Sequence, residues 1–387
     1  MSDRDYYCSR KFTELSVNLE NRSVASCCSA AFQRINFNNL KSNNIANVDF
    51  LVNDRTAMLN NQAVDSCREY CWNLEDVGQL SVRQTGGTNI KTHQSTKIDS
   101  LNSIDIVIGS RCNLTCSYCC KNYSRTWLQD IVKNGSYDIK NEGNKYSLTA
   151  RDHVVKNLSQ SNLYSGQNFE LLLNSLTEMF ESVDHIQISG GEPFLYDFTF
   201  DLIKQIPKNV KVTVYTGTGI DIIKFAGRLD ELKSFPNLKI AISSENVGHF
   251  YEFNRFGQSF ENFDKIVKLI KKSGIQYIFS SVLSNLTIFG FIDFLKYADA
   301  PIKQQFCNSP AFMNITVLDE YTKSQLLESY RDQNDGRLNV IIQNLENSTL
   351  CSEFDRKNLS TFFKEFSSRR NLNTSIFPSS FLKWIDT

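Results

Sequence analysis

From about residue 100 onward, six short apolar runs recur, each followed by turn residues and then an amphipathic stretch. They are "IDIVIG" (104–109), "HIQIS" (185–189), "KVTVYT" (211–216), "LKIAIS" (238–243), "YIFSSVL" (277–283) and "IKQQF" (302–306). Short runs rich in β-branched and aromatic residues read as strands, and strands alternating with helices read as consecutive βα units. Such units set parallel strands side by side under covering helices, the α/β class. The segment "ENFDKIVKLIKKSG" shows the helical half: Phe263, Ile266, Val267 and Ile270 share one face, lysines take the other, and Gly274 stands where a helix stops. Six units are too few for a full eight-stranded barrel. The spacing predicts a partial, open barrel.

Between the first strand's loop and the helix-like "FELLLNSLTEMF" lie residues 121–167, polar and rich in Asn, Ser and Gly, and far longer than an ordinary βα connection. It reads either as a surface insertion or as a lid or substrate-binding element over the barrel mouth. Three segments are therefore expected: residues 1–98, a barrel over 99–310 carrying the 121–167 insertion, and a C-terminal helical or irregular extension over 311–387. Lys+Arg and Asp+Glu are both 42, so no net field points to nucleic acid or an acidic membrane surface, and neither is expected as a partner. The start, "MSDRDYYCSRKFTEL", lacks the apolar core of an export signal. The most apolar later stretch is broken by Asn285, Gly290 and Asp293, which fits a buried strand and helix better than a membrane span. A cytoplasmic protein is expected, where closely spaced cysteines are more often metal ligands or catalytic groups than disulfides.

The loop that follows the first strand reads "SRCNLTCSYCC". Cys112, Cys116 and Cys119 have the spacing C-x3-C-x2-C. Thiolates suit iron-sulfur clusters, and a four-iron cluster needs four ligands for closure, so three leave one iron open. Structural zinc usually takes two such pairs or Cys with His, and no His is close to this loop. Cys120 lies outside the spacing and reads as a bystander.

"CNLTCSYC" followed at the second strand by "ISGGEPFL" resembles the radical S-adenosylmethionine (SAM) superfamily, over about residues 100–310. The resemblance implies a partial (βα)6 TIM-like barrel in which Cys112, Cys116 and Cys119 hold a 4Fe-4S cluster whose open iron is chelated by SAM. It further implies that the reduced cluster cleaves SAM and that the resulting 5′-deoxyadenosyl radical abstracts a substrate hydrogen, chemistry that belongs to the cofactor. Residue by residue, Tyr118 matches the aromatic position near adenine, and Ser189, Gly190, Gly191 and Glu192 match the motif that meets the SAM ammonium, with Pro193 stiffening its exit. Thr216 and Gly217 match a nucleoside-contacting loop, Ser243 and Ser244 a ribose or carboxylate position, and Arg255 a basic residue that meets the SAM carboxylate; Asn285 is a weaker match. All of them stand at the carboxyl ends of strands, where barrel active sites are built. A one-electron donor such as flavodoxin or ferredoxin is implied as a partner.

A second set of thiols lies in the first hundred residues: Cys8, Cys27 or Cys28, and Cys67 with Cys71 in "CREYCWNLEDVGQLSVR". Cys8, Cys27, Cys67 and Cys71 supply four thiolates, enough for a fully ligated cluster, and equally enough to close a zinc site. The layout resembles the SPASM and twitch auxiliary-cluster domains of radical SAM enzymes, which implies a second 4Fe-4S cluster, here in an unusual N-terminal position. Glu75, Gly78, Ser81 and Arg83 continue that pattern, or else form a capped helix end with a structural Arg. The four histidines, His93, His153, His185 and His249, are scattered, and most of the 28 phenylalanines read as core. Because resembling auxiliary domains accompany peptide-modifying enzymes, a peptide or protein substrate is expected. A small molecule such as a nucleotide or sugar is the alternative, and a non-catalytic iron-sulfur electron carrier is the rival of another class.

Overall fold

The computed structural model describes residues 5–39, 44–76, 81–85, 93–140, 164–347 and 351–386. Strands among them are numbered in chain order: β1 Glu14–Asn18, β2 Ser23–Ala25, β3 Gln33–Arg34, β4 Ser103–Val107, β5 Thr115–Cys116, β6 His185–Ser189, β7 Lys211–Thr216, β8 Leu238–Ser243, β9 Arg255–Phe256, β10 Gln276–Leu283 and β11 Ile302–Phe306. The six runs expected as strands are β4, β6, β7, β8, β10 and β11, and helices alternate with them. The protein is α/β with mostly parallel strands, as a partial barrel requires.

The chain divides into two compact units. The first comprises Met1–Ser110, Lys156–Tyr215 and Arg228–Ile240. Its strands run in the order β7-β6-β4-β1-β2-β3. β4 pairs in parallel with β6 and β6 with β7, in a register that aligns Ile104 with Ile186 and Val212, and Ile106 with Ile188 and Val214. All six side chains are buried, forming two apolar rows across three strands. The residues between them, Asp105, Gln187 and Thr213, fall on the opposite face and are polar. β1, not foreseen from the sequence, pairs in parallel with β4 and antiparallel with β2, so the N-terminal segment extends the same sheet.

The second unit comprises Arg111–Val155, Thr216–Gly227 and Ala241–Thr387. Here β10 pairs in parallel with β11, and the short β5 pairs antiparallel with β9. The helix Phe260–Ser273 follows its pattern closely: Ser259 caps it by accepting from the Asn262 N–H, Phe263, Ile266, Val267 and Ile270 are buried, and Gly274 ends it in the left-handed conformation at φ 77°. The C-terminal residues form helices, and Phe362, Phe363 and Phe366 on the helix Glu353–Arg370 join Phe253, Phe377 and Phe381 in one aromatic cluster. Among the described residues no helix is long and apolar enough to cross a membrane.

Candidate active site

The loop carrying Cys112, Cys116 and Cys119 is built into the second unit by backbone and side-chain bonds from four directions. Cys116 in β5 pairs opposite Arg255 in β9, and the Ser117 N–H and hydroxyl donate to the Asn254 carbonyl and Oδ1, both at 2.8 Å. The helix Arg125–Asn134 is capped by Ser124, whose hydroxyl also donates to the Leu114 carbonyl at 2.7 Å. From that helix Thr126 bonds the Cys112 carbonyl, and the fully buried Trp127 indole donates to the Cys116 carbonyl at 3.0 Å. Arg370, at the end of the helix Glu353–Arg370, donates to the Thr115 hydroxyl at 3.1 Å and lies over the Trp127 ring at 4.7 Å. Two glycines permit the fourth approach. A Cβ on Gly257 (φ +117°) would stand 2.5 Å from the Asn113 carbonyl, and one on Gly219 would stand 2.2 Å from the Asn113 side chain.

The start of the insertion therefore buttresses the cysteine loop, while residues 141–163 lie outside the described residues. The thiols sense one another: burial and the neighbouring charges of Cys120, Cys116 and Cys112 raise the Cys119 thiol well above its usual range. Burial also raises Cys116, against the pull of Arg255. Cys120 is fully buried.

Beside this loop is a buried polar group whose acidic member the sequence reading passed over. Tyr118 donates to Glu245 Oε1 at 2.9 Å and accepts from Arg255 Nη1, which also reaches both Glu245 oxygens at 3.3–3.4 Å. The Val282 N–H adds a third donor to the carboxylate at 3.1 Å. Glu245 and Arg255 are 0% and 3% exposed, so both charges depend on each other. Burial opposes the Arg255 charge, but Cys116, Tyr118 and Glu245 facing it hold the guanidinium protonated well above its usual range. Its Nε is buried with no hydrogen-bond partner, a donor left over after the ion pair is made. The available signal was an acid two residues past an apolar strand in "ISSEN", where only the serines drew notice.

The other expected positions in this unit are mainly turned inward. The Thr216 hydroxyl accepts from the Thr218 N–H at 2.8 Å, holding a loop in which Thr218 takes φ +58° and Gly217 is half-buried. Ser244 donates to the Asn246 carbonyl, whereas Ser243 is half-buried. Asn285 donates to the Phe312 carbonyl at 2.7 Å and so fixes the segment after β11. In the first unit, Ser189 donates to Asp105 at 3.2 Å. Gly190 (φ +138°) lets the chain approach β4's exit: a Cβ there would lie 2.8 Å from the Gly109 carbonyl, which also accepts from the Gly191 N–H at 2.7 Å. Glu192, 1% exposed, accepts from the Phe194 N–H across Pro193.

The family description "Radical SAM superfamily" matches residues 106–298, which include the three cysteines, the glycine turn, Glu245 and Arg255. The chain belongs to the radical SAM superfamily. Radical SAM proteins use a 4Fe-4S cluster and SAM. Among solved structures, the chain is similar to anSMEcpe with bound AdoMet and Kp18Cys peptide (20% identity, 60% of this chain and 61% of that chain, TM-score 0.38). It is similar also to Streptococcus suis SuiB bound to precursor peptide SuiA (13%, 98% and 78%, 0.37) and to the radical SAM methyltransferase TsrM from Kitasatospora setae (13%, 35% and 30%, 0.27). The chain thus spans less than two thirds of anSMEcpe. No curated protein sequence matches it.

The residues fit the radical SAM cofactors by their chemistry: three adjacent thiols on one fixed loop, and an orphaned guanidinium donor nearby for a carboxylate. Among the described residues no three His, Cys, Asp or Glu side chains close round a single metal ion. A cubane takes each thiolate on a separate iron and does not require that closure.

In the first unit three of the N-terminal thiols are gathered as well, and Cys27 packs against Ala25 and Ala30. Cys8, Cys67 and Cys71 are buried together with Met58, Val64 and Trp72. Cys71, raised by its bond to Cys67 and by burial, also feels the charges of Cys27 and Cys8. Cys27 is buried, whereas Cys28 is exposed and takes a bond from Arg10. The continuing pattern forms a clasp: Arg83 binds Glu75 through Nε and Nη2 at 3.1 and 2.7 Å, Ser81 donates to Glu75 at 2.5 Å, and Arg83 Nη1 donates to the Tyr7 carbonyl at 3.0 Å. Arg83 also lies 5.3 Å over Trp72, so one side chain ties down the neighbours of both Cys8 and Cys71. Gly78 lies outside the described residues.

Proposed function

We propose that the chain is an enzyme that holds a 4Fe-4S cluster on Cys112, Cys116 and Cys119, cleaves SAM reductively and abstracts hydrogen from a peptide or protein. The observation that carries this reading is the loop itself: three thiols on one braced loop, with β5–β9 pairing setting Cys116 opposite Arg255. Bound there, the cluster would supply the electron for SAM cleavage. Arg255, oriented by Glu245 and Tyr118, offers its spare Nε to a carboxylate. Thr216, Gly217 and Ser243 are taken as nucleoside and ribose contacts, and Ser189, Gly190, Gly191 and Glu192 as contacts to the SAM amine, by resemblance.

Cys8, Cys27, Cys67 and Cys71 are taken to hold a second 4Fe-4S cluster in a segment over residues 1–98, ahead of a barrel over 99–310 and an extension over 311–387. That four-thiol group supports a peptide or protein substrate, since it resembles domains that accompany peptide-modifying enzymes. A cytoplasmic setting with flavodoxin or ferredoxin as electron donor completes the reading. Anaerobically reconstituted protein with SAM and a reductant is expected to form 5′-deoxyadenosine, and the Cys112→Ala/Cys116→Ala/Cys119→Ala variant none. Equal product from both would sink the proposal.

A further inference from the structure

Lys11 is 2% exposed, an unusual place for an ammonium. Its Nζ donates to Asp54 Oδ2 at 2.6 Å and to the Ser66 hydroxyl at 2.7 Å, and its N–H donates to the Cys8 carbonyl at 3.1 Å. Ser66 precedes Cys67 and accepts through its carbonyl from the Ala31 N–H, which joins the loop after Cys27 to the same point. Lys11 is thus held by bonds at Cys8 and next to Cys67, two of the four N-terminal thiols. Its Nζ therefore sits against Asp54 and, through the Ser66 hydroxyl, one residue from Cys67.

We infer that Lys11 is the fixed counter-charge of the four-thiol site and raises the reduction potential of an iron-sulfur cluster held there. The inference rests on the proposed second cluster. One-electron reduction, with the electron drawn from a low-potential donor such as dithionite, adds negative charge to a cluster that four thiolates already make anionic. A buried cation beside it favours the reduced form, because net charge and burial set cluster potentials. Asp54, the anion on the far side of the same pair, acts in the opposite sense. Lys11 is a positioning residue, since it touches no reacting atom.

The test uses the full chain carrying the three barrel Cys→Ala replacements, so that only the N-terminal site can hold iron, with potentials read by EPR during dithionite titration. Lys11→Met should shift the potential negative and Asp54→Asn should shift it positive, with iron per chain unchanged in both. Shifts of the same sign, or none in either variant with iron retained, would overturn the role of Lys11. If Lys11→Met loses its iron, the Asp54→Asn shift decides alone: positive upholds the inference, zero or negative overturns it. Zinc or no metal in the parent triple variant would instead defeat the second-cluster reading, a failure visible before either substitution is made.

Discussion

Glu245 is the residue on which the geometry around Tyr118 and Arg255 turns. It takes hydrogen bonds from Tyr118, Arg255 and the Val282 N–H while fully buried. Breaking a buried pair by removing one partner leaves the other charge uncompensated, at a cost of about 3–5 kcal/mol. Glu245→Gln is therefore expected to destabilise the protein by about that amount in urea titrations, and a loss under about 1 kcal/mol would show that Arg255 finds its partner elsewhere. The three cysteines were legible because their spacing is local to one loop. Glu245 was not, because its partners come from positions 118, 255 and 282, and only folding brings them together.

At the scale of elements, the helix Phe260–Ser273 was readable because its apolar period, its serine cap and its terminal glycine all agree. Ile270 is fully buried, so Ile270→Ala should cost about 2–5 kcal/mol. The exposed Lys268 on the same helix should tolerate Ala within about 0.5 kcal/mol, and equal losses in thermal melts would contradict the assigned face. The strands with alternating burial were legible for the same reason. β1, "ELSVN", escaped notice because Glu14, Ser16 and Asn18 leave it only two apolar residues, and its strand identity depends on pairing with β4 far along the chain. The start of the 121–167 insertion was read from composition as surface or lid. Trp127 within it is a core residue, bonded to the Cys116 carbonyl, and one buried indole outweighs the polarity of its neighbours.

Across the whole molecule, the sequence separates two thiol groups, and the structure keeps each within its own compact unit, with Cys8, Cys67 and Cys71 packed in one cluster and Cys27 against Ala25 and Ala30. The choice of Cys27 over Cys28 could be weighed only modestly in sequence. In the structure Cys27 is buried, while Cys28 faces solvent and takes a bond from Arg10. Neither residue's surroundings are encoded in the doublet itself, since they depend on Lys11, Ser66 and the helix turn at Cys71. The two groups also differ in the number of thiols, and that difference is the central claim: three leave an iron open to SAM, four do not. Low-temperature EPR of the reduced, fully reconstituted protein, recorded with and without SAM, tests it most directly. The account predicts a signal that changes when SAM is added to wild type, and in the Cys112→Ala/Cys116→Ala/Cys119→Ala variant a remaining signal indifferent to SAM. A wild-type spectrum indifferent to SAM, or a SAM-dependent change that survives in the triple variant, would contradict it.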